Sequence, residues 1–222
     1  MTKGHKTEQI CYLCGSVIGE HESSDDHVPP KAFYPKKIRA GLNLQVVPTH
    51  KTCNESYKAD EEYFQHAFLI EVLNQKPPIT KHLMDDFHRR SQKPQTPALA
   101  RKILKGVSSV TSGGIYLPNG KLQVEIDQLR IENVVLKIVR GLFYIENNRF
   151  LPLKNAKDIR FCSNESEVPE FYRLYWPHAK LNGVCPEVFS YKYFYFEYKK
   201  LHLYTSLFWQ AVMSCVAFEE PE

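Results

Sequence analysis

Two ligand pairs of identical spacing constrain this chain most: Cys11-x-x-Cys14 and His50-x-x-Cys53. Each spacing lets a compact turn place two ligands on one ion, with Gly15 following the first pair. Together they make a Cys₃His set, a closed tetrahedral site of the structural kind. Thiolate and imidazole donors select zinc. A redox Cys-x-x-Cys pair is the alternative, but no strand-then-helix pattern surrounds these cysteines. Residues 10–60 are dense in Cys, His, Pro and Gly and contain no long periodic segment. Such a stretch needs a staple, because it has little apolar periodicity from which to build a core.

The rest of the composition is that of a globular chain. Of 222 residues, 43% are hydrophobic and 24% charged, which excludes a mostly disordered protein. The length suits one large domain or two small ones. Apolar runs are short: Val134 to Val139 is interrupted by Lys137, and Leu207 to Phe218 by Gln210 and Ser214. Neither approaches the ~18 residues of a membrane span. The opening MTKGHKTEQICYLCG has no apolar h-region, so a cytoplasmic, membrane-free chain without a disulfide framework is expected. Cys162, Cys185 and Cys215 then read as reduced cysteines of the core. Residues 1–106 carry 16 Lys+Arg against 12 Asp+Glu, and the remainder is balanced at 13 each. The excess positive charge lies with the cysteine pairs, which mildly favours a polyanion there.

Hydrophobic spacing divides the chain into three parts. Residues 1–75 hold the stapled module and a helix over 61–75, acidic at its start and stopped by Lys76-Pro77-Pro78. Residues 76–106 form a helical connector, with helices over 80–91 and 98–106 and a linker at 93–97. Residues 107–222 read as an α+β domain rich in antiparallel strands. In it, a hairpin turns at Pro118-Asn119-Gly120, and an amphipathic helix over 129–146 turns Ile131, Val134, Val135, Ile138, Val139 and Leu142 inward. FSYKYFYFEY, LHLYTSLFW and VMSCVAFE read as strands. Tyr191, Tyr193 and Tyr195 fall on one strand face.

Between the two ligand pairs lies Ser24-Asp25-Asp26-His27-Val28-Pro29-Pro30-Lys31. Adjacent Asp26 and His27 point to opposite sides of an extended backbone, so one can take a metal while the other faces a substrate. Asn54, Lys58 and Asp60 follow Cys53 directly. This series, C-x-x-C, D-H-V-P-P, H-x-x-C-N and K-x-D, resembles an HNH endonuclease of the ββα-metal type. The resemblance covers residues 10–70.

The resemblance implies roles at the matching positions. His27 matches the general base that activates water, and Asn54 the residue that orients it. Asp26 matches a ligand of one catalytic divalent ion, and Asp60 stands near the place of the second ligand, with Glu61 and Glu62 as rivals. An ion held by two carboxylates and water suits Mg²⁺ or Mn²⁺, which would stabilise the leaving 3′ oxygen. Lys31, Lys36, Lys37, Arg39, Lys51 and Lys58 surround these residues and suit phosphate contacts. The implied partner is nucleic acid, DNA ahead of RNA, together with a regulatory protein or a second copy of the chain, as in bacterial defence effectors. The competing reading is a zinc-dependent nucleic-acid-binding or protein-interaction module without catalysis.

Overall fold

The computed structural model describes residues 9–92, 95–118, 123–152 and 156–220. It is a mixed α+β structure. Strand β1 (Ser23–His27) pairs antiparallel with β2 (Val46–His50), with Asp26 opposite Val47 and His27 opposite Val46. A single turn, α1 (Lys36–Arg39), lies in the connection. Directly after β2 come α2 (Lys51–Ser56) and α3 (Lys58–Gln75), separated only by Tyr57. The second ligand pair is therefore the start of a helix, and α3 begins earlier than the apolar pattern suggests. Lys76, left-handed at φ 51°, and Pro77 end α3. Helix α4 (Thr80–Ser91) follows as expected, whereas α5 (Gln95–Lys105) starts three residues earlier than expected and takes in residues 95–97 of the expected linker. Of the expected linker, Lys93 and Pro94 lie outside the described residues.

The expected hairpin at 113–126 is paired differently. Strand β4 (Gln123–Val124) pairs with β3 (Val107–Ser108), not with residues 115–117. Gly114, at φ 79°, turns the chain, so that the Thr111 amide donates to the Ile115 carbonyl and Tyr116 bridges back to Val110. Asn119 and Gly120 lie outside the described residues. Helix α6 (Gln128–Asn147) opens on Asp127, whose carboxylate accepts from the Arg130 amide, and closes on left-handed Asn148.

The C-terminal part forms a five-stranded antiparallel sheet from β5 (Ala156–Cys162), β6 (Lys180–Cys185), β7 (Phe189–Phe196), β8 (Leu201–Phe208) and β9 (Val212–Glu219), in the order β5-β9-β8-β7-β6. Strands β7, β8 and β9 match the three aromatic segments. Short helix α7 (Glu170–Tyr175) and Trp176 cover one face, packing with Leu201, Leu203, Met213, Cys215 and Ala217. The alternate residues Tyr204, Phe208, Val212, Val216 and Phe218 join the main core with α3 and α6. With both faces covered, β8 and β9 are buried at nearly every position, the polar His202, Thr205, Ser206 and Ser214 included. Tyr191 and Tyr193 belong to the main-core side, where Tyr193 stacks on Tyr204 at 4.8 Å.

One apolar cluster runs from Cys11 to Phe218 and joins all three expected segments. Phe33, just after β1, stacks on Phe64 of α3 at 5.2 Å and contacts Trp209 of the β8–β9 turn at 5.2 Å. The Trp209 indole donates to the Phe33 carbonyl at 3.1 Å. Trp209 and Gln210 both have positive φ, a turn usually built from Asn and Gly; here burial of the indole offsets the backbone cost. Among the described residues, no helix is long and apolar enough to cross a membrane.

Helix α6 meets the β1 end at a position only glycine fills. A Cβ on Gly141 would lie 2.4 Å from Cγ2 of buried Val28. Gly141→Ala gains ~1 kcal/mol of helix propensity but forces an overpacking cost of about 1–3 kcal/mol. The clash is with a β-branched side chain that cannot swing away, so it prevails. Gly141→Ala is expected to lower the melting temperature by ~2–6 °C. Adding Val28→Ala should cost less in the Gly141→Ala background than alone, measured by thermal denaturation of the four-variant cycle.

Candidate metal centre and the site beside it

The first turn closes through the Gly15 amide, which donates to the Cys11 carbonyl at 2.8 Å. Gly15 has φ 77°, and a Cβ there would strike the Phe150 ring at 2.8 Å. Opposite this turn, β2 delivers His50 and α2 delivers Cys53. The ligand atoms of Cys11, Cys14, His50 and Cys53 all lie within 4.8 Å of one another. His50 Nδ1 is 3.4 Å from Cys14 Sγ and 3.9 Å from Cys53 Sγ. Tetrahedral donors held about 2.0–2.3 Å from zinc stand roughly 3.5–3.8 Å apart, so the four can hold such an ion. His50 Nε2 lies 3.1 Å from the Val17 carbonyl, which favours the tautomer with Nδ1 free for metal.

The thiols already favour deprotonation at one position. Burial raises the Cys11 thiol, but the Thr49 hydroxyl and the backbone amides of His50, Cys14 and Leu13 outweigh it and bring it down to about 6. Burial and the neighbouring thiols push Cys53 up to about 12. A divalent ion offsets that mutual repulsion and displaces the remaining protons. Cys14→Ser is therefore expected to remove one equivalent of zinc and to lower the melting temperature by at least ~5 °C, the shift that a loss of about 2 kcal/mol gives at this size. Metal content and thermal denaturation read both effects.

Three of the other expected residues converge, but around a protein cation. Asp26, on the buried side of β1, accepts from the Tyr12 hydroxyl at 2.6 Å and pairs with Lys137 of α6 at 2.8 Å. The same ammonium meets Glu61 at 2.5 Å and Asn54 Oδ1 at 3.2 Å, and lies 5.3 Å over the Tyr57 ring. Lys137 is 1% exposed. Burial pushes the Glu61 carboxyl up, with Lys137 opposing the shift. Asp60 turns elsewhere: it pairs with Arg130 at 2.6 Å and accepts from Asn133. Between the two rivals for Asp60's place, it is Glu61 that stands with Asp26. Glu62 lines an adjoining cleft, as Glu61 also does.

The donor chemistry of Asp26, Glu61 and Asn54 is that of a hard-cation site. As arranged, the site does not fit a divalent ion, because the Lys137 ammonium fills the space among these oxygens. Spacing along the chain does not announce Lys137. Its only signal is a lysine breaking the apolar run Val134–Val139 of a helix whose neighbouring faces are buried.

His27 projects from the opposite side of β1 and is half-buried. Neither ring nitrogen has a hydrogen-bond partner among the described residues. Burial, and next the charge of Lys31, hold the imidazole below its usual range. Asn54, expected to orient His27, contacts Lys137 instead. Lys31 and Lys58 line a cleft of about 380 Å³ with Arg39, Arg89 and Arg90, Glu61 standing in its wall. The two arginines of α4 were not anticipated, because that helix lies outside the cysteine-rich segment. Lys36, Lys37 and Lys51 do not line this cleft. Lys37 pairs with Asp85 at 3.3 Å, and Lys36 uses its backbone amide on Asp86. His66 is buried, with Nδ1 against the Glu62 carbonyl and its ring on Phe87.

No protein-family model, no curated protein and no solved structure matches this chain.

Proposed function

We propose that the chain is a nuclease of HNH type that hydrolyses phosphodiester bonds, DNA ahead of RNA. The observation that carries this reading is His27. It is a neutral-leaning imidazole without a hydrogen-bond partner among the described residues, on a hairpin held by a metal-ligand quartet, within electrostatic reach of two cations, Lys31 and Arg39, that line a basic cleft. The resemblance of residues 10–70 to that family places the same histidine as the base.

In this reading His27 takes a proton from water, and the resulting hydroxide attacks phosphorus. The P–O3′ bond breaks, and the 3′ oxygen takes a proton from solvent. An imidazole kept neutral near pH 7 suits the first step. Lys31, Arg39, Lys58, Arg89 and Arg90 hold the phosphates, a contact independent of base sequence. The divalent ion implied by the resemblance, Mg²⁺ or Mn²⁺, would supply charge stabilisation at the departing oxygen. No step here is routed through it, because Lys137 holds that place. A regulatory partner or a second copy, as expected of a defence effector, belongs to the same proposal. The buried cation also favours the second reading, a zinc-dependent nucleic-acid-binding module, since carboxylates already paired with a protein cation need no chemistry.

Plasmid cleavage by zinc-loaded protein, with and without Mg²⁺ or Mn²⁺, separates the two. Wild type is expected to nick supercoiled DNA, and His27→Ala to lose at least ~100-fold in rate, the usual contribution of a general base, with zinc content and melting temperature unchanged. Equal cleavage by the variant would refute the mechanism, and binding without cleavage would favour the second reading.

The cleft makes a separate forecast. Lys31→Ala/Lys58→Ala should weaken binding to all duplex sequences alike and reduce the slope of log K against log salt by about 2, one for each phosphate no longer neutralised. Fluorescence anisotropy over a salt series measures it. An unchanged slope places the nucleic acid on another face.

A further inference from the structure

The family resemblance leads one to expect a divalent ion at Asp26, and the side chains around Asp26 lead elsewhere. An ammonium has three N–H donors. Lys137 donates to Glu61 Oε1 at 2.5 Å and to Asn54 Oδ1 at 3.2 Å, and it forms an ion pair with Asp26 Oδ2 at 2.8 Å. The partners come from β1, α3 and α2, and the lysine from α6. Asp26 has a further donor in the Tyr12 hydroxyl.

The lysine is also fixed in place. Four residues along a helix rise about 6 Å, close to the ~6.6 Å spanned by two residues of a strand. Lys137 and Gly141 thus stand against Asp26 and Val28 respectively. The bare Gly141 lets α6 lie close enough for the ammonium to reach. A divalent ion placed among the same oxygens would meet a like charge about 3 Å away and would have to expel a buried side chain.

We propose that Lys137 is the resident cation of this site: its ammonium replaces the divalent ion among Asp26, Glu61 and Asn54, and the chain binds no divalent ion there. The proposal concerns binding. Only its consequence for catalysis rests on the nuclease reading, and that consequence is hydrolysis without added Mg²⁺ or Mn²⁺, phosphate charge being met by the cleft cations.

The test uses the full, zinc-loaded chain and Mn²⁺ as the probe, with free Mn²⁺ followed by electron paramagnetic resonance. Wild type and Glu61→Gln should give the same titration, with no Mn²⁺ bound at the site. Lys137→Ala removes the ammonium and leaves both carboxylates. It should bind one Mn²⁺ at least ~10-fold more tightly than any binding by wild type, because a like charge is gone. Lys137→Ala/Glu61→Gln should lose that ion. Where Lys137→Ala is too unstable to titrate, its melting temperature should rise with Mn²⁺ while that of wild type does not. The proposal is overturned if wild type binds one Mn²⁺ that Glu61→Gln abolishes, since the metal then displaces the lysine. It is equally overturned if Lys137→Ala gains neither Mn²⁺ binding nor Mn²⁺-dependent stability. Failure of cleavage under every condition tells against the nuclease reading alone, because the Mn²⁺ titrations do not depend on it.

Discussion

Lys137 carries its charge into a place almost closed to water, and four elements are arranged around that fact. A buried ammonium is costly unless its charge and all three donors are met. Asp26 and Glu61 meet the charge, Glu61 and Asn54 accept hydrogen bonds from it, and the Tyr57 ring lies over one side. Removing one partner of such a buried set costs about 3–5 kcal/mol, chiefly through the charge left behind. The value of the set is thus less in net stability than in position. It favours the placement of β1 against α3 and α6 that brings two carboxylates and an amide to one nitrogen.

The metal-ligand quartet acts at the other end of the same hairpin. Ser23 pairs with His50 at the quartet end, whereas His27 pairs with Val46 at the far end. The hairpin thus has an anchor at each end, an ammonium at one and, once an ion is bound, sulfur and imidazole at the other. His27 gains from both without touching either. Its neighbour Asp26 faces the buried cation, and the alternation of the strand turns His27 to the opposite side. An imidazole set this way keeps its ring nitrogens available on a strand held from its other side. Phe33 and Trp209 extend the same fixation to the sheet, through the segment that follows His27.

Sequence reading succeeds here where one physical signal dominates and weakens where two segments must find each other. The quartet is legible because Cys-x-x-Cys and His-x-x-Cys have few other uses in a chain without a disulfide framework. Strands β7 to β9 are legible because they are rich in aromatic and apolar residues between turns, and α6 because its apolar spacing is regular. Strands β5 and β6 are not, since both lie at sheet edges and their residues are mixed. Gln123–Val124 pairs with Val107–Ser108 because the Gly113-Gly114 turn takes Tyr116 to Val110 first. Lys137 is the most instructive omission. Pattern reading counts a lysine within an apolar run as an interruption, whereas here it is a contact.

The same contact decides between Asp60 and Glu61. Neighbours on a helix point about 100° apart, so a motif that fixes distance along the chain leaves their directions open. The directions follow from what α6 presents to α3. Arg130, near the start of α6, takes Asp60 and lies over Tyr63 at 4.4 Å. Lys137, two turns further, takes Glu61. Seven residues make close to two turns, which puts both cations on one face of α6, and that face is the one turned to α3. The acidic start of α3 is thus more than dressing for a helix dipole. Its two carboxylates are divided between two cations of one partner helix. The site beside His27 is consequently settled by a helix about seventy residues downstream of the motif, beyond the reach of any reading confined to residues 10–70.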